Sequence, residues 1–257
     1  MLDGLYAGSL WNAEVLQAAG LDVEVLHQGV DTALFRPMPP AKPTGSEDLF
    51  FVFSGGKLEY RKGQDMVIAA FKRFRARHPE AHLLAAWNNL WPHTAASIAR
   101  SRHTTGTPLV DGKLEVEAWL LANGLERESF TLVRAAHERM PEVLAMADAA
   151  LLPSRCEGGT NLVAMETLAM GLPTILSANS GHLDLLASLG DNVYPLLKQT
   201  RSLGLANVGW RDSDVSEMVA RLEDVYGNRE VARVKGLAAA AIMDRDWTWP
   251  RQMAKLL

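Results

Sequence analysis

The chain alternates short apolar runs with longer segments in which apolar residues recur at helical spacing. The apolar runs predict buried strands at residues 49–54, 81–87, 130–133 and 193–196, and two more within residues 149–181. The amphipathic segments predict helices near residues 64–77, 114–123, 141–147, 214–226 and 229–243. Because parallel strands need crossover connections, this alternation predicts an α/β fold with a doubly wound, mostly parallel, Rossmann-like sheet.

The residues before this regular pattern form a smaller unit. Ser9 is placed to cap a helix that runs to Ala19, and an apolar run at residues 23–27 predicts a strand. A proline-rich stretch follows, with Pro37, Pro39, Pro40 and Pro43 ahead of Gly45 and Ser46. Such a stretch is extended and fairly stiff, so it predicts a linker at residues 37–47.

The composition narrows the class of protein. With 257 residues, 48% hydrophobic content and 22% charge, the chain resembles an ordinary globular protein. The net charge is -4, so the chain lacks the excess of basic residues that proteins binding nucleic acid usually carry. No apolar run approaches the roughly 20 residues that a membrane helix needs. Cys156 is the single cysteine, which excludes an internal disulfide and fits a reducing compartment. We therefore expect a cytoplasmic protein without a transmembrane segment.

The most informative stretch is AALLPSRCEGGTNLVAMETLAMGLPTILSANSG, residues 149–181. It predicts a strand, a turn with Gly158 and Gly159, a helix, a second strand and a second loop. Glycines let the backbone approach a ligand, and the N-terminus of the helix suits a phosphate. Glu166 lies two turns into an otherwise apolar helix. Its carboxylate leans back toward the turn, where it could accept hydrogen bonds from ribose hydroxyls.

Glu166 has a simpler interpretation as well, since it could lie at an exposed edge of the helix or pair with a distant arginine. Its apolar neighbours leave little room for a solvent face, and a buried carboxylate must be paired or hydrogen-bonded. The neighbours are Leu162, Val163, Met165, Leu168, Ala169 and Met170. We therefore favour a role for Glu166 in ligand binding.

Residues 153–186, PSRCEGGTNLVAMETLAMGLPTILSANSGHLDLL, resemble the donor-nucleotide signature of the retaining glycosyltransferases of family 4, which have the GT-B fold. Three further segments resemble the same family in order and spacing. They are LHQGVDTALFRP, FSGGKLEYRKGQDMVIAAF and MPEVLAMADAALLPS. The resemblance implies the donor-binding, C-terminal half of a GT-B enzyme, with the acceptor domain largely absent.

The resemblance also implies roles for individual residues. Glu166 corresponds to the ribose-binding glutamate, Glu157 to the glutamate near the reacting carbon, and Lys57 and Lys62 to the cations that hold the diphosphate. Other positions implied in donor binding lie in the glycine loop, the signature turn, the loop after the second strand and the segment near the base: Gly55, Gly56, Gly158, Gly159, Thr160, Asn161, Ser180, Gly181 and Arg134. The implied substrate is a UDP-, GDP- or ADP-hexose, and neither a metal nor a further cofactor is implied.

The chain departs from the family pattern at two places. Eight residues separate Glu157 from Glu166, where the family has seven, so the turn must absorb one extra residue. Residues 87–112 replace a short turn of the family with WNNLWPHTAASIARSRHTTGTPLVDG. Trp87 and Trp91 in this insertion could stack on a base or sugar, but we expect them to cover the core.

Together, these observations predict four regions. Residues 1–36 are a remnant of the acceptor-side domain, 37–47 a linker, 48–245 the nucleotide-sugar-binding domain and 246–257 a C-terminal helix. The expected activity is transfer of a hexose, with retention, to an unidentified sugar, lipid or other hydroxyl acceptor. A second polypeptide could supply the acceptor domain. The alternatives are a non-catalytic nucleotide-sugar-binding module and an epimerase of the same fold.

Overall fold

A computed structural model of the chain describes residues 4–202, 204 and 208–256. The strands in these residues are β1 (Tyr6–Ala7), β2 (Glu24–Val25), β3 (Phe50–Gly56), β4 (Ala81–Trp87), β5 (Leu109–Val110), β6 (Lys113–Leu114), β7 (Phe130–Leu132), β8 (Ala149–Leu152), β9 (Thr174–Ser177), β10 (Tyr194–Leu196), β11 (Gln199–Arg201) and β12 (Arg211–Ser213). The α-helices are α1 (Leu10–Ala18), α2 (Gln64–Arg75), α3 (Val116–Ala122), α4 (Met140–Leu144), α5 (Leu162–Ala169), α6 (His182–Leu189), α7 (Val215–Gly227), α8 (Arg229–Asp246) and α9 (Trp249–Met253).

The centre of the molecule is a six-stranded parallel sheet in the order β10-β9-β8-β3-β4-β7. Alternate residues of β3 enter different cores: Phe50 and Val52 pack on the face covered by α2, α3 and α7, whereas Phe51 and Phe53 pack on the face of α5 and α8. Strands buried on both faces explain the continuous apolar runs in the sequence. The predicted doubly wound, mostly parallel α/β fold is confirmed.

The N-terminal residues form the predicted α/β unit. β1 and β2 pair in parallel, and the Ser9 hydroxyl caps α1 by accepting a hydrogen bond from the Asn12 N–H at 3.1 Å. The unit also contacts the main domain. The Ser9 hydroxyl donates to the Gly158 carbonyl at 2.8 Å, and Asp184 accepts from the His27 ring at 2.7 Å. The N-terminal unit therefore lies directly against the glycine turn that follows β8.

The proline-rich linker contacts the domain. The Ala41 N–H donates to the Ala145 carbonyl at 3.0 Å, and the Lys42 ammonium lies 2.9 Å from the Asp148 carboxylate. The chain returns at its end to the N-terminal unit, where the Val30 N–H donates to the Trp247 carbonyl at 2.8 Å. Parts of the predicted regions 1–36 and 246–257, namely residues 1–3 and 257, lie outside the described residues. The proposed region boundaries stay a prediction.

The insertion after β4 consists of a 3-10 helix at Pro92–Arg100 and the hairpin of β5 and β6. Asp111 and Gly112 turn the hairpin with positive φ angles of 47° and 77°, as its two-residue connection requires. Trp87 is buried and donates to the Ser54 hydroxyl at 3.2 Å. Trp91 is 54% exposed, so the expectation that it covers the core is wrong. It lies on a surface loop beyond the end of the strand.

None of the helices in the described part of the chain is both long and apolar enough to cross a membrane.

Gly63 joins the loop after β3 to α2, and its substitution should destabilise the protein. Its φ is +77°, and an added Cβ would overlap the Pro153 carbonyl oxygen at the end of β8. Gly20 has a similar φ of +83° but open space around it. Both Gly63→Ala and Gly20→Ala should lose about 1–2 kcal/mol from the left-handed backbone. Gly63→Ala should lose roughly 1–3 kcal/mol more from the overlap, measured by urea unfolding. Equal losses in the two variants would contradict this account.

Candidate functional site

Glu157 lies in the turn after β8, at the carboxyl edge of the sheet, with two cations against its carboxylate. Its Oε1 accepts from the Lys62 ammonium at 2.7 Å, and its Oε2 accepts from the Arg61 guanidinium at 2.8 Å. The side chain is only 6% exposed. Burial opposes ionisation, but Lys62 and Arg61 outweigh it and hold the pKa of Glu157 at about 2. The carboxylate is therefore ionised throughout the neutral range.

Arg155 fixes the segment that carries these cations. Its guanidinium is fully buried and makes two 2.8 Å hydrogen bonds to Asp65 and one of 2.5 Å to Asp212. It also donates to the Tyr60 carbonyl at 2.5 Å, and its backbone N–H donates to the Arg61 carbonyl at 2.7 Å. Burial alone would raise the pKa of Asp65, but the hydrogen bonds and the charge of Arg155 lower it by more, so the net shift of the pKa is downward. The buried, ion-paired Arg155 thus connects the turn that carries Glu157 to the turn that carries Lys62.

Glu166 lies in α5 with a very different environment. Its side chain is 14% exposed, and its Oε1 lies 3.8 Å from Nδ1 of His137, which is 60% exposed. Burial raises the pKa of Glu166 to about 7. Within the described residues no lysine or arginine forms an ion pair with it. This carboxylate is therefore neither at an exposed edge of the helix nor paired with an arginine of the described residues. It can accept hydrogen bonds from further donors.

The glycines of the predicted site bring backbones into close contact. An added Cβ at Gly55 would lie 2.7 Å from the Phe53 ring and 3.0 Å from the Val163 side chain at the start of α5. Gly56 follows with a φ of +111°. At the neighbouring turn, an added Cβ at Gly181 would overlap the Gly159 carbonyl oxygen. The loops after β3, β8 and β9 thus meet at one edge of the sheet, as the strand order requires.

The polar residues of the turn hold one another in place. Thr160 is buried and its hydroxyl donates to the Met165 sulfur at 3.0 Å. The Asn161 amide lies 3.1 Å from Nε2 of His182, a fully buried ring whose pKa is lowered to about 4 by that burial. Ser180 accepts from the Glu157 N–H at 2.8 Å through its hydroxyl. These side chains fix the backbone around Glu157 as a neutral, ordered frame.

Gly158 departs from its neighbours, because an added Cβ there would meet no atom within 4 Å. Its carbonyl accepts from Ser9, and an added Cβ at Gly159 would lie 2.8 Å from the Gln28 amide oxygen. The turn with the extra residue therefore contacts the N-terminal unit as well as the loop after β9.

Two predicted cations lie away from Glu157. Lys57 is exposed, with its ammonium 5.2 Å from the centre of the Trp91 ring. Arg134 is exposed on the loop after β7, beside a groove of about 400 Å³ that Trp87 and Leu114 also line. Glu157 is contacted by Lys62 and Arg61. Roles for Lys57 and Arg134 in binding stay predictions.

Sequence reasoning missed Arg61, Arg155, Asp65 and His182. Each is a polar or charged residue inside one of the quoted motifs, and such residues are too common on protein surfaces for their type alone to reveal that they are buried and paired. The volume of the surface grooves does not identify the site at Glu157 either. A groove of about 410 Å³ lies at the opposite edge of the sheet, lined by residues such as Pro39, Asp148 and Arg229.

Because the pKa of Glu166 is raised, we predict that replacing its carboxylate with a neutral amide stabilises the protein by an amount that depends on pH. The folded state holds this proton more tightly than the unfolded chain, so stability falls as pH rises from 4.5 to about 7. Glu166→Gln removes this loss. The variant should be more stable than wild type by about 3 kcal/mol above pH 7, and the difference should vanish below pH 4.5. Urea unfolding across this pH range measures it.

Glu142 provides the control, because it is exposed and hydrogen bonds from Arg139 lower its pKa. Glu142→Gln should give a small change of opposite sign. A Glu166→Gln variant that is equally stable to wild type at pH 8 would contradict the assigned environment.

Residues 40–193, more than half of the chain, match the sequence model of the family described as "Glycosyl transferases group 1". The chain is 27% identical over 242 residues to a glycogen synthase of Mycobacterium tuberculosis, covering 93% of this chain and 49% of that protein. It is 25% identical over 239 residues to a GDP-mannose-dependent monoacylated alpha-(1-6)-phosphatidylinositol monomannoside mannosyltransferase of Corynebacterium glutamicum, covering 88% and 52%. The chain thus spans about half the length of these curated relatives.

The fold is that of known GT-B glycosyltransferases. Anabaena HepE, solved in complex with UDP and glucose, superposes with a TM-score of 0.74 at 16% identity. The superposition covers 100% of this chain and 62% of HepE. With the family match over residues 40–193, these findings lead to one conclusion. The chain belongs to the group 1 glycosyl transferases.

Proposed function

We propose that this chain is the donor-binding half of a retaining glycosyltransferase of family 4. It binds a nucleotide-diphosphate hexose, and in a complete active site the hexose passes to a hydroxyl acceptor with retention at the anomeric carbon. The observation that carries the proposal is the pairing of Glu157 with Lys62 and Arg61 beside the glycine loops. The relatives named glycogen synthase and mannosyltransferase support a sugar-transfer reaction of this kind.

The two cations suit the leaving group. Transfer breaks the bond between the anomeric carbon and a diphosphate oxygen, so negative charge builds on the departing nucleotide diphosphate. Lys62 and Arg61 are already held beside the site before the reaction, which limits the reorganisation needed to offset that charge. In this proposal they exchange part of their contact with Glu157 for contact with the phosphate oxygens.

Glu157 suits the sugar. The transition state of glycosyl transfer develops positive charge at the anomeric carbon, as in glycoside hydrolysis. A carboxylate with a pKa of about 2 is negative at every physiological pH and can stabilise that charge. The acceptor hydroxyl oxygen then bonds to the anomeric carbon as the bond to the diphosphate oxygen breaks, and its proton passes to that departing oxygen. Retention requires that this bond form on the face from which the diphosphate departs.

Glu166 suits the ribose of the donor. An ionised carboxylate accepts two hydrogen bonds from a vicinal pair of hydroxyls, and such bonds favour its charged form. Among the described residues its one ion-pair partner is His137 at 3.8 Å, and its pKa is about 7, which suits a group whose partners arrive with the ligand. We assign no resident metal or cofactor to the reaction.

The acceptor site belongs, in this proposal, to a second structural unit. The chain spans about half of its curated relatives, and its residues 4–30 already lie against the donor turn. Further sequence or a second polypeptide would supply that unit. The acceptor, whether sugar, lipid or another hydroxyl compound, is set there.

A panel of nucleotides and nucleotide sugars tests the proposal. UDP-, GDP- and ADP-hexoses and the free diphosphates should be compared by thermal shift and isothermal titration. We expect one nucleotide to raise Tm, and we expect Lys62→Met to weaken its binding by about tenfold or more through loss of a charge-assisted contact.

Lys255→Met serves as the control, because its ammonium bonds to Gln252 rather than to Glu157; this variant should bind as wild type does. Slow hydrolysis of the bound donor sugar that Glu157→Gln abolishes would support the transferase. Binding of none of these ligands would contradict the proposal.

A further inference from the structure

Residues 88–112, the insertion after β4, lie against the loop that carries the predicted phosphate-binding cations. We define this cation loop as residues 57–62, which connect β3 to the turn before α2. It contains Lys57, Arg61 and Lys62 and has as its own regular structure a single 3-10 turn at Tyr60–Lys62. Its position therefore depends on contacts from elsewhere.

Asn89 makes the central contact. Its side-chain oxygen accepts from the Leu58 N–H at 2.5 Å, and its side-chain nitrogen donates to the Leu58 carbonyl at 2.9 Å. The same nitrogen donates to the Thr94 hydroxyl at 2.7 Å within the insertion. Asn89 is 7% exposed, so these bonds are shielded from water. One side chain thus satisfies both backbone groups of a residue in the middle of the cation loop.

Further contacts extend this attachment along the loop. The Ser97 hydroxyl accepts from the Tyr60 N–H at 3.0 Å, and the Arg100 guanidinium lies 4.9 Å over the Tyr60 ring. The Ser101 hydroxyl donates to Asp65 at 2.7 Å, in the first turn of α2. The insertion therefore contacts the chain on both sides of the pair of residues that face Glu157.

Arg155 holds the same loop from the other side. It donates to the Tyr60 carbonyl, while the insertion accepts from the Tyr60 N–H. A loop bonded on both sides loses conformational freedom before a ligand arrives, which lowers the entropic cost of binding.

We propose that the insertion is a clamp that positions the cation loop for the donor diphosphate, with Asn89 as its main positioning residue. This inference rests on the proposed donor-binding function. Asn89 acts through the Leu58 backbone, and its side-chain hydrogen bonds in the described part of the chain go to Leu58 and Thr94 rather than to Glu157, Arg61 or Lys62. Its loss should therefore affect recognition of the phosphates rather than of the nucleoside.

Isothermal titration of the 257-residue chain with UDP, GDP and ADP, and with AMP, GMP and UMP, tests the clamp. We expect Asn89→Ala to weaken binding of the preferred diphosphate about tenfold while monophosphate binding changes less than twofold. Hydrogen exchange at the Leu58 and Tyr60 amides should accelerate in the same variant. Asn89→Asp keeps the acceptor and lacks the donor, and it should give an intermediate loss.

Thr107→Val is the matched control in the same insertion. The Thr107 hydroxyl bonds to the Ala95 carbonyl and the Leu109 N–H and makes no bond to the cation loop. This variant should keep wild-type affinities. If Asn89→Ala does not fold, Asn89→Asp carries the comparison.

The outcomes separate the two proposals. If wild type binds none of these nucleotides, the proposed function fails. If wild type binds a diphosphate and both Asn89 variants match its affinity, the clamp is wrong while the function stands. Equal weakening of diphosphate and monophosphate binding would also overturn the clamp, because it would indicate a general structural role.

Discussion

The ion pair between Arg155 and Asp65 is the interaction on which the site depends. Both side chains are fully buried, and removal of either partner would leave an uncompensated internal charge at a cost of about 3–5 kcal/mol. Apolar residues of similar volume could fill the space, so bulk stability alone does not require the pair. It joins the end of β8 to the start of α2 and thereby sets Glu157 opposite Lys62 and Arg61.

Glu157 in the turn and Glu166 in α5 are the same type of residue, but their surroundings give their carboxylates different pKa values. Glu157 is buried against two cations and has a pKa of about 2, whereas Glu166 is partly buried, pairs with no lysine or arginine of the described residues and has a pKa of about 7. The first is a fixed negative charge already in place. The second gains from hydrogen-bond donors that a ligand would bring. In the proposed function these properties suit the reacting sugar and the ribose, respectively.

The sequence predicted the fold well, because its apolar runs and their spacing follow from the burial of parallel strands on both faces. Ser9 as a helix cap and the burial of Glu166 in α5 were also predictable from local pattern. Arg155 and Asp65 were not. They lie 90 positions apart in the chain, and their pairing depends on which strands adjoin in the folded sheet. The exposure of Trp91 was missed for a different reason, because an apolar residue in an irregular insertion has no periodic pattern to show which side of it faces the core.

In the proposed function, the edge of the sheet at Glu157, Lys62 and Glu166 binds a nucleoside diphosphate. The decisive measurement is a crystal structure of the chain with the nucleoside diphosphate that it binds most tightly. We expect a phosphate oxygen within hydrogen-bond distance of the Lys62 ammonium and a ribose hydroxyl on the Glu166 carboxylate. Nucleotide bound at the opposite edge of the sheet, in the groove beside Pro39 and Arg229, would contradict it.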